Sequence, residues 1–301
     1  NKVDFNTLHT EPISGDANLP QVSIDVGQLG GMYAQKIYLV GTEKGVGVNS
    51  SGTLAAQAGD IMVTSAGKVV LAGPASATGN IQISAEGDIS NQNTLYAHGN
   101  VSMIAKGLLA NSGTLAAGQD AALIAHSITS AGTLGAGFKT DGILGTAGDL
   151  TLYANGTIST QGQNLAAGHL SFSGTEINLK NSQTYSGGNA NLTATSGNID
   201  NTGASLEVNG AINMSAAGAV KNDIGGSGIA GKILGSHVTI SAHDISNNGG
   251  IIHQDGTAGT TLSAGGFIDN IDGTSASNGA ITLSGSGLIN RGGEIRAAGT
   301  G

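Results

Sequence analysis

Along most of the chain apolar residues stand two apart in short clusters. Ile61/Val63, Ile81/Ile83, Val101/Met103, Leu150/Leu152, Leu170/Phe172, Ile212/Met214, Val238/Ile240 and Ile281/Leu283 all follow this pattern. A period of two puts each pair on one face of a strand and its polar neighbours on the other. Glycines every few residues end the strands and leave no window for a helix of ten or more residues. The pattern predicts an all-β chain of short strands, each with one buried face.

The strands recur in a repeat. One unit runs Gly79-Asn80-Ile81-Gln82-Ile83-Ser84-Ala85-Glu86-Gly87-Asp88-Ile89-Ser90-Asn91, then Thr94-Leu95-Tyr96-Ala97-His98, and the next opens at Gly99-Asn100-Val101-Ser102-Met103. Opening glycines fall at 59, 79, 99, 118, 148, 168, 188, 210, 235, 259 and 279, with a base step of 20. The structural repeat positions are typified by Gly79, Ile81, Ile83, Asn91, Gly99, Val101, Met103 and Asn111. One copy cannot bury its apolar face, but stacked copies can. The repeat therefore predicts a right-handed parallel β-helix of about twelve ~20-residue coils, roughly 55–60 Å long at the ~4.8 Å spacing of paired strands. The repeats are assigned to 24–301, truncated at both ends of a longer protein. Residues 1–23, polar and holding Pro12 and Pro20, are assigned to a linker or poorly ordered arm.

Asn91, Asn111, Asn201, Asn222, Asn247, Asn270 and Asn290 recur after the second aliphatic position. Their tolerance of left-handed backbone angles suits a repeated turn, and stacked Asn side chains can form ladders. Ala85, Ala105, Ala154 and Ala194 leave room inside a tight corner. Longer steps mark insertions near 135–147, 222–234 and 248–258.

Composition narrows the function. Of 301 residues 52 are Gly, Cys and Trp are absent, and the net charge is −9. Without Cys there are no disulfides, thiolate metal sites or thiol chemistry. A net acidic chain with no basic cluster is unsuited to binding nucleic acid. No apolar stretch is long enough for a transmembrane helix. No cofactor is expected.

An enzyme on a β-helix needs acids grouped on one face. Asp88 aligns with Lys68 and Leu108, whereas Asp60 and Asp149 share a turn position with Asn80, Asn100 and Asn189, so no adjacent coils are expected to repeat an acid. His237, His243 and His253 are close in sequence, but His237 and His243 neighbour inward residues and are read as solvent-facing. Asp255, Asp269 and Asp272 are read as turn residues, and Gly225–Gly228 lacks the Asp of a calcium nonapeptide. Tyr33, Tyr38, Tyr96 and Tyr153 are expected on the surface, and these four with Tyr185 are too dispersed for a carbohydrate-stacking platform. No catalytic, cofactor or metal site is assigned.

The stretch Gly30-Gly31-Met32-Tyr33-Ala34-Gln35-Lys36-Ile37-Tyr38-Leu39-Val40-Gly41-Thr42-Glu43-Lys44-Gly45-Val46-Gly47-Val48 resembles the segment that precedes the repeat array in the filamentous haemagglutinin family. Asn111-Ser112-Gly113-Thr114-Leu115-Ala116-Ala117-Gly118 resembles its repeat. The family comprises two-partner-secretion exoproteins, among them adhesins and CdiA-type contact-dependent growth inhibition toxins. The resemblance implies a secreted rod on the outer surface of a Gram-negative bacterium. It also implies export through an outer-membrane transporter that engages an N-terminal domain missing here, and a target-cell receptor bound by other regions. Three readings follow: a stalk presenting distal receptor-binding or toxin regions, an adhesin segment binding through the insertions, or a glycan-degrading enzyme.

Overall fold

The computed structural model describes the backbone at residues 2–3 and 10–11, and the chain in full from 20 to 299. The assigned arm, 1–23, lies outside the described residues except for 2–3, 10–11 and 20–23, with Lys2–Val3 pairing antiparallel to Thr10–Glu11. No helix occurs among the described residues.

Each coil contributes three strands. The coil around Gly79 has a first strand Ile81–Ala85, a second Ile89–Asn91 and a third Thr94–Ala97. Each pairs in parallel, without offset, with its counterpart one coil on: Ile81 with Val101, Ile89 with Leu109 and Leu95 with Leu115. Second strands form a sheet of 13, from Val22–Val26 to Gly287–Ile289. The stack holds twelve complete coils, preceded by the second and third strands of one more, Val22–Val26 and Gly31–Ala34. First and third strands lie on separate faces, joined where Ser205–Ala216 and Lys232–Ala242 run unbroken around a corner.

The core is a column of inward side chains. Ile81, Ile89, Leu95, Met103, Leu109 and Leu115 are fully buried, while Gln82 and Ser84 between them face solvent. Phe172 is the largest fully buried side chain. Ala85, Ala105, Ala154 and Ala194 are buried where the first strand ends. Each coil thus buries little by itself and gains its core from its two neighbours.

Three opening glycines are displaced from the true register. Ala121 pairs with Val101, which puts Gln119 opposite Gly99, one residue beyond Gly118. Ser236 and Ala258 likewise fill the position assigned to Gly235 and Gly259, as the pairings of Ile212 with Val238 and of Val238 with Thr260 require. At the first of these the 20-residue step from Gly99 falls on Gln119, so a count that follows the glycines slips by one there.

Candidate functional site

Two polar columns run along the rod. Inside the corner between second and third strands, Asn91 Nδ2 donates to Asn111 Oδ1 at 2.7 Å, and Asn111 Nδ2 donates to Ser130 Oγ at 3.0 Å. After an interruption the column resumes: Asn201 donates to Asn222 at 2.7 Å, Asn222 to Asn247 at 2.8 Å, Asn247 to Asn270 at 2.7 Å and Asn270 to Asn290 at 2.7 Å. The same amides also reach third-strand carbonyls, as Asn222 does to Ile251 O at 3.0 Å. These side chains point inward from regular strand or corner backbone. Among the described residues, only Asn181 and Asp272 of the non-glycines have positive φ, so left-handed tolerance is not why Asn recurs. Asn recurs because its amide offers both a donor and an acceptor along the stacking axis. Each run begins with an unpartnered acceptor, Asn91 Oδ1 and Asn201 Oδ1. Leu71 pairs with Asn91 from the preceding coil and has no polar group to give it.

The second column lies outside, before the first strand. Asp60 accepts the N–H of Asn80, Asn80 that of Asn100, Asn100 that of Asp120, and Asp120 that of Asp149, at 2.8–3.0 Å. Asp149 accepts from His169 at 2.7 Å, His169 Nδ1 from Asn189 at 2.9 Å, and Asn189 from Ala211 at 2.9 Å. Each side chain caps a backbone N–H of the next coil. Asp120 and Asp149 therefore do place acids at one position of adjacent coils, contrary to the sequence expectation. The slip at Gly118 hid this. Both carboxylates are engaged with backbone donors. Asp88 has the same part at the next corner, accepting Leu108 N–H at 2.7 Å.

The insertions occupy two corners, not one face. The first, between Thr133–Ala136 and Leu150–Ala154, lies between a third strand and the next first strand. The second, between Ala219–Lys221 and Lys232–Ala242, lies between a second and a third strand. The extra residues near 248–258 are divided between both corners, around Asn247–Gly250 and Asp255–Gly259. The first insertion turns back over the third-strand face, where Phe138 lies so close to Gly135 that a Cβ there would enter its ring. Farther along that face Tyr96 is half-buried with its hydroxyl sealed from solvent, against the expected surface position. Burial, and secondarily the charge of Asp141 in the insertion, push its pKa up. Tyr33, Tyr38 and Tyr153 are exposed, and half-buried Tyr185 accepts from Asn209 Nδ2 at 2.9 Å.

The histidines do not converge. His237 is half-buried, not solvent-facing; its Nδ1 lies 2.9 Å from Gly259 O and its Nε2 3.1 Å from Thr239 Oγ1. His243 is exposed and lies 2.8 Å from Asp244 Oδ2. The Phe267 N–H first, and His243 second, hold the Asp244 carboxyl below the ordinary carboxylate range. Gly225–Gly228 forms the tip of the second insertion, closed by Gly228 N to Gly225 O at 2.9 Å. Among the described residues no three His, Asp or Glu side chains gather where they could hold a metal ion. A shallow groove on the third-strand face is lined by Leu165, Gln183, Tyr185, Ser205, Glu207 and Lys232. Its one carboxylate, Glu207, accepts from Ser205 at 2.9 Å, so the groove offers no acid pair.

The haemagglutinin repeat family matches residues 17–102, 76–137, 129–203 and 181–234. The chain is 56% identical over 236 residues to "tRNA nuclease CdiA-2" of Burkholderia pseudomallei (strain 1026b), covering 78% of this chain and 8% of that protein. It is 37% identical over 303 residues to "Toxin CdiA" of Yersinia pestis, covering 99% of this chain and 9% of that protein. A shorter match, 54% over 59 residues, is to "Toxin CdiA" of Escherichia coli and covers 20% of this chain and 2% of that protein. The chain thus spans less than a tenth of these relatives. No solved structure matches it.

Proposed function

The chain belongs to the haemagglutinin repeat family, and from that premise we propose that it is a stalk segment of a contact-dependent inhibition exoprotein. The observation that carries the reading is the unbroken register. From Ile37 to Ile281, first strands stack one on the next with every corner irregularity confined to the turns. A column tied by backbone pairing, an internal amide ladder and external caps holds its ends at a fixed separation. The segment itself performs no chemistry in this reading, and the nuclease and toxin names of the relatives describe proteins of which it matches a small part. Export through an outer-membrane two-partner-secretion transporter, display on the surface of a Gram-negative cell and binding of a target-cell receptor belong to other regions of the whole protein. Insertions at two corners supply no common contact face, so an adhesive role for them has no support.

The test is an in-register deletion in the natural full-length protein. Removing 61–149 takes out four whole coils and brings Leu150 opposite Ile37, because Ile61, Ile81, Val101, Ala121 and Leu150 share one column. The filament should shorten by about 19 Å, four spacings of ~4.8 Å, while receptor binding by isolated protein persists. Loss of receptor binding with an intact, shortened filament would remove the stalk reading and make this segment a binding region.

A further inference from the structure

The twelve first strands, from Ile37–Gly41 to Ile281–Ser284, form one face of the rod. With the two continuous strands counted only over Ile212–Ala216 and Val238–Ala242, none of them contains Asp, Glu, Lys, Arg or His, although the chain carries 31 Asp, Glu, Lys and Arg residues and a net charge of −9. Charges instead occupy the corners and the other two faces, as in the Lys106–Glu86 and Lys180–Asp200 pairs. Contiguous exposed apolar surface marks a site of association, and no charge on these strands interrupts it. Neither large insertion covers it, because the first turns over the third-strand face and the second leaves from the opposite corner.

The face has two halves. Tyr38, Val40, Ile104, Ile124 and Tyr153 project from the first six strands at 57%, 54%, 44%, 41% and 48% exposure. Ile104, Ile124 and Tyr153 are direct register partners, so three consecutive coils present one apolar ridge. From Ser171 to Ser284 every outward residue is Ser, Thr or Asn.

We infer that this uncharged face joins two copies of the chain side by side, with their axes parallel and related by a two-fold along the rod. The dimensions suit a pair. Twelve strands at ~4.8 Å, each about 16 Å wide, make a face of roughly 850 Å², beside about 800 Å² per partner in a standard stable interface. The charge distribution selects the partner: on two identical acidic rods the strand surfaces that meet here carry no like charges to oppose. A two-fold along the axis sets coil against coil, so the apolar ridges bury each other and the hydroxyl and amide halves meet as hydrogen-bonding surfaces. This inference stands on the surface alone and is independent of the stalk reading.

The experiment is sedimentation equilibrium of the 301-residue chain from low micromolar to several hundred micromolar. The weight-average mass should rise from the 29.4 kDa of one copy towards twice that value. Ile124→Lys in the apolar half and Ser215→Lys in the hydroxyl half both replace solvent-facing residues, and each should hold the chain at the mass of one copy while its β circular-dichroism signal is unchanged. Thr129→Lys, exposed on the second-strand face, should associate like the native chain. Monomer at every concentration overturns the inference. So does association that survives both face substitutions, which is the signature of end-to-end stacking through the final coil. A short thiol-to-thiol linker should capture the Ser284→Cys dimer, since a parallel pair brings the two final coils together. Failure to capture it in a chain that does dimerise overturns the parallel arrangement.

Discussion

Gln82 and Ser102 are direct register partners on neighbouring first strands, each directed to solvent between two buried residues. Parallel pairing puts their Cα atoms about 4.8 Å apart, inside the range of roughly 4.4–6.8 Å that a disulfide spans. The column continues through Ala122 to Thr151, three coils from Gln82. In this Cys-free chain, Gln82→Cys with Ser102→Cys should cross-link within one molecule under mild oxidation. Gln82→Cys with Thr151→Cys, at about 14–15 Å, should remain reduced within one molecule. Equal closure of both pairs, read by mass spectrometry of monomer, would show that the coils do not stack in this register.

The internal ladder predicts unequal costs for two asparagines. Asn222 is buried, accepts from Asn201 and donates to both Asn247 and Ile251 O. Asn222→Ala strands those partners away from water, and leaving buried polar groups unmade costs about 1–3 kcal/mol apiece, so a loss of about 2–4 kcal/mol is expected. Asn191 lies on the exposed side and receives one bond from Asn213. Asn191→Ala should stay within about 0.5 kcal/mol of the parent, as exposed substitutions usually do. Urea denaturation of both variants checks the contrast, and a cheap Asn222→Ala would show that the ladder adds little.

Much of this architecture is legible in the residues themselves. Period-two pairs such as Ile81/Ile83 mark the buried face, and a 20-residue step returns them to the same place. What escapes is what the corners do. The ordinary 20-residue step from Asn100 puts Asp120 in the capping column, although a count from Gly118, which stands one residue before the opening position, puts it elsewhere. Tyr96 reads as an outward residue of its strand, and it is one, but its hydroxyl is sealed from solvent and feels the charge of Asp141, in an insertion some forty residues later. Asn is legible as a ladder, yet the reason is side-chain bonding along the axis and not backbone handedness. Local spacing reports which residues belong to a strand; contacts between coils decide what a turn residue touches.

The external capping column tolerates His169 because its Nδ1 can accept as an amide or carboxylate oxygen does. His169→Asn should therefore leave stability within about 0.5 kcal/mol. His169→Ala removes the acceptor for Asn189 N–H and should cost about 0.5–1 kcal/mol, the lower range for a capping bond at an exposed corner. Thermal denaturation of the pair decides it. If both variants lose the same amount, the ring matters through packing and not as an acceptor.

Asp244 supplies an acid-sensitive rung. Its carboxyl is held below the ordinary range by Phe267 N–H and then by His243. A depressed folded-state value means that its contribution is complete above the unfolded-state value and is lost as pH falls through the folded one. Asp244→Asn keeps an acceptor for Phe267 but cannot ionise. Native chain and variant should differ most near neutral pH and converge in strong acid, by urea midpoints across that span. Parallel profiles would mean that the charge of Asp244 does not couple to folding.

The confinement of irregularities to the corners makes the rod a ruler graduated in coils. Ala121 and Leu150 are 29 positions apart in sequence and still direct partners, as are Ile81 and Val101 at 20. Residues added between Gly137 and Asp149 extend the chain without extending its reach. A whole coil gained or lost changes that reach by about 4.8 Å. Two homologous rods of unequal residue count can thus be equally long, and two of nearly equal count can differ by a full graduation.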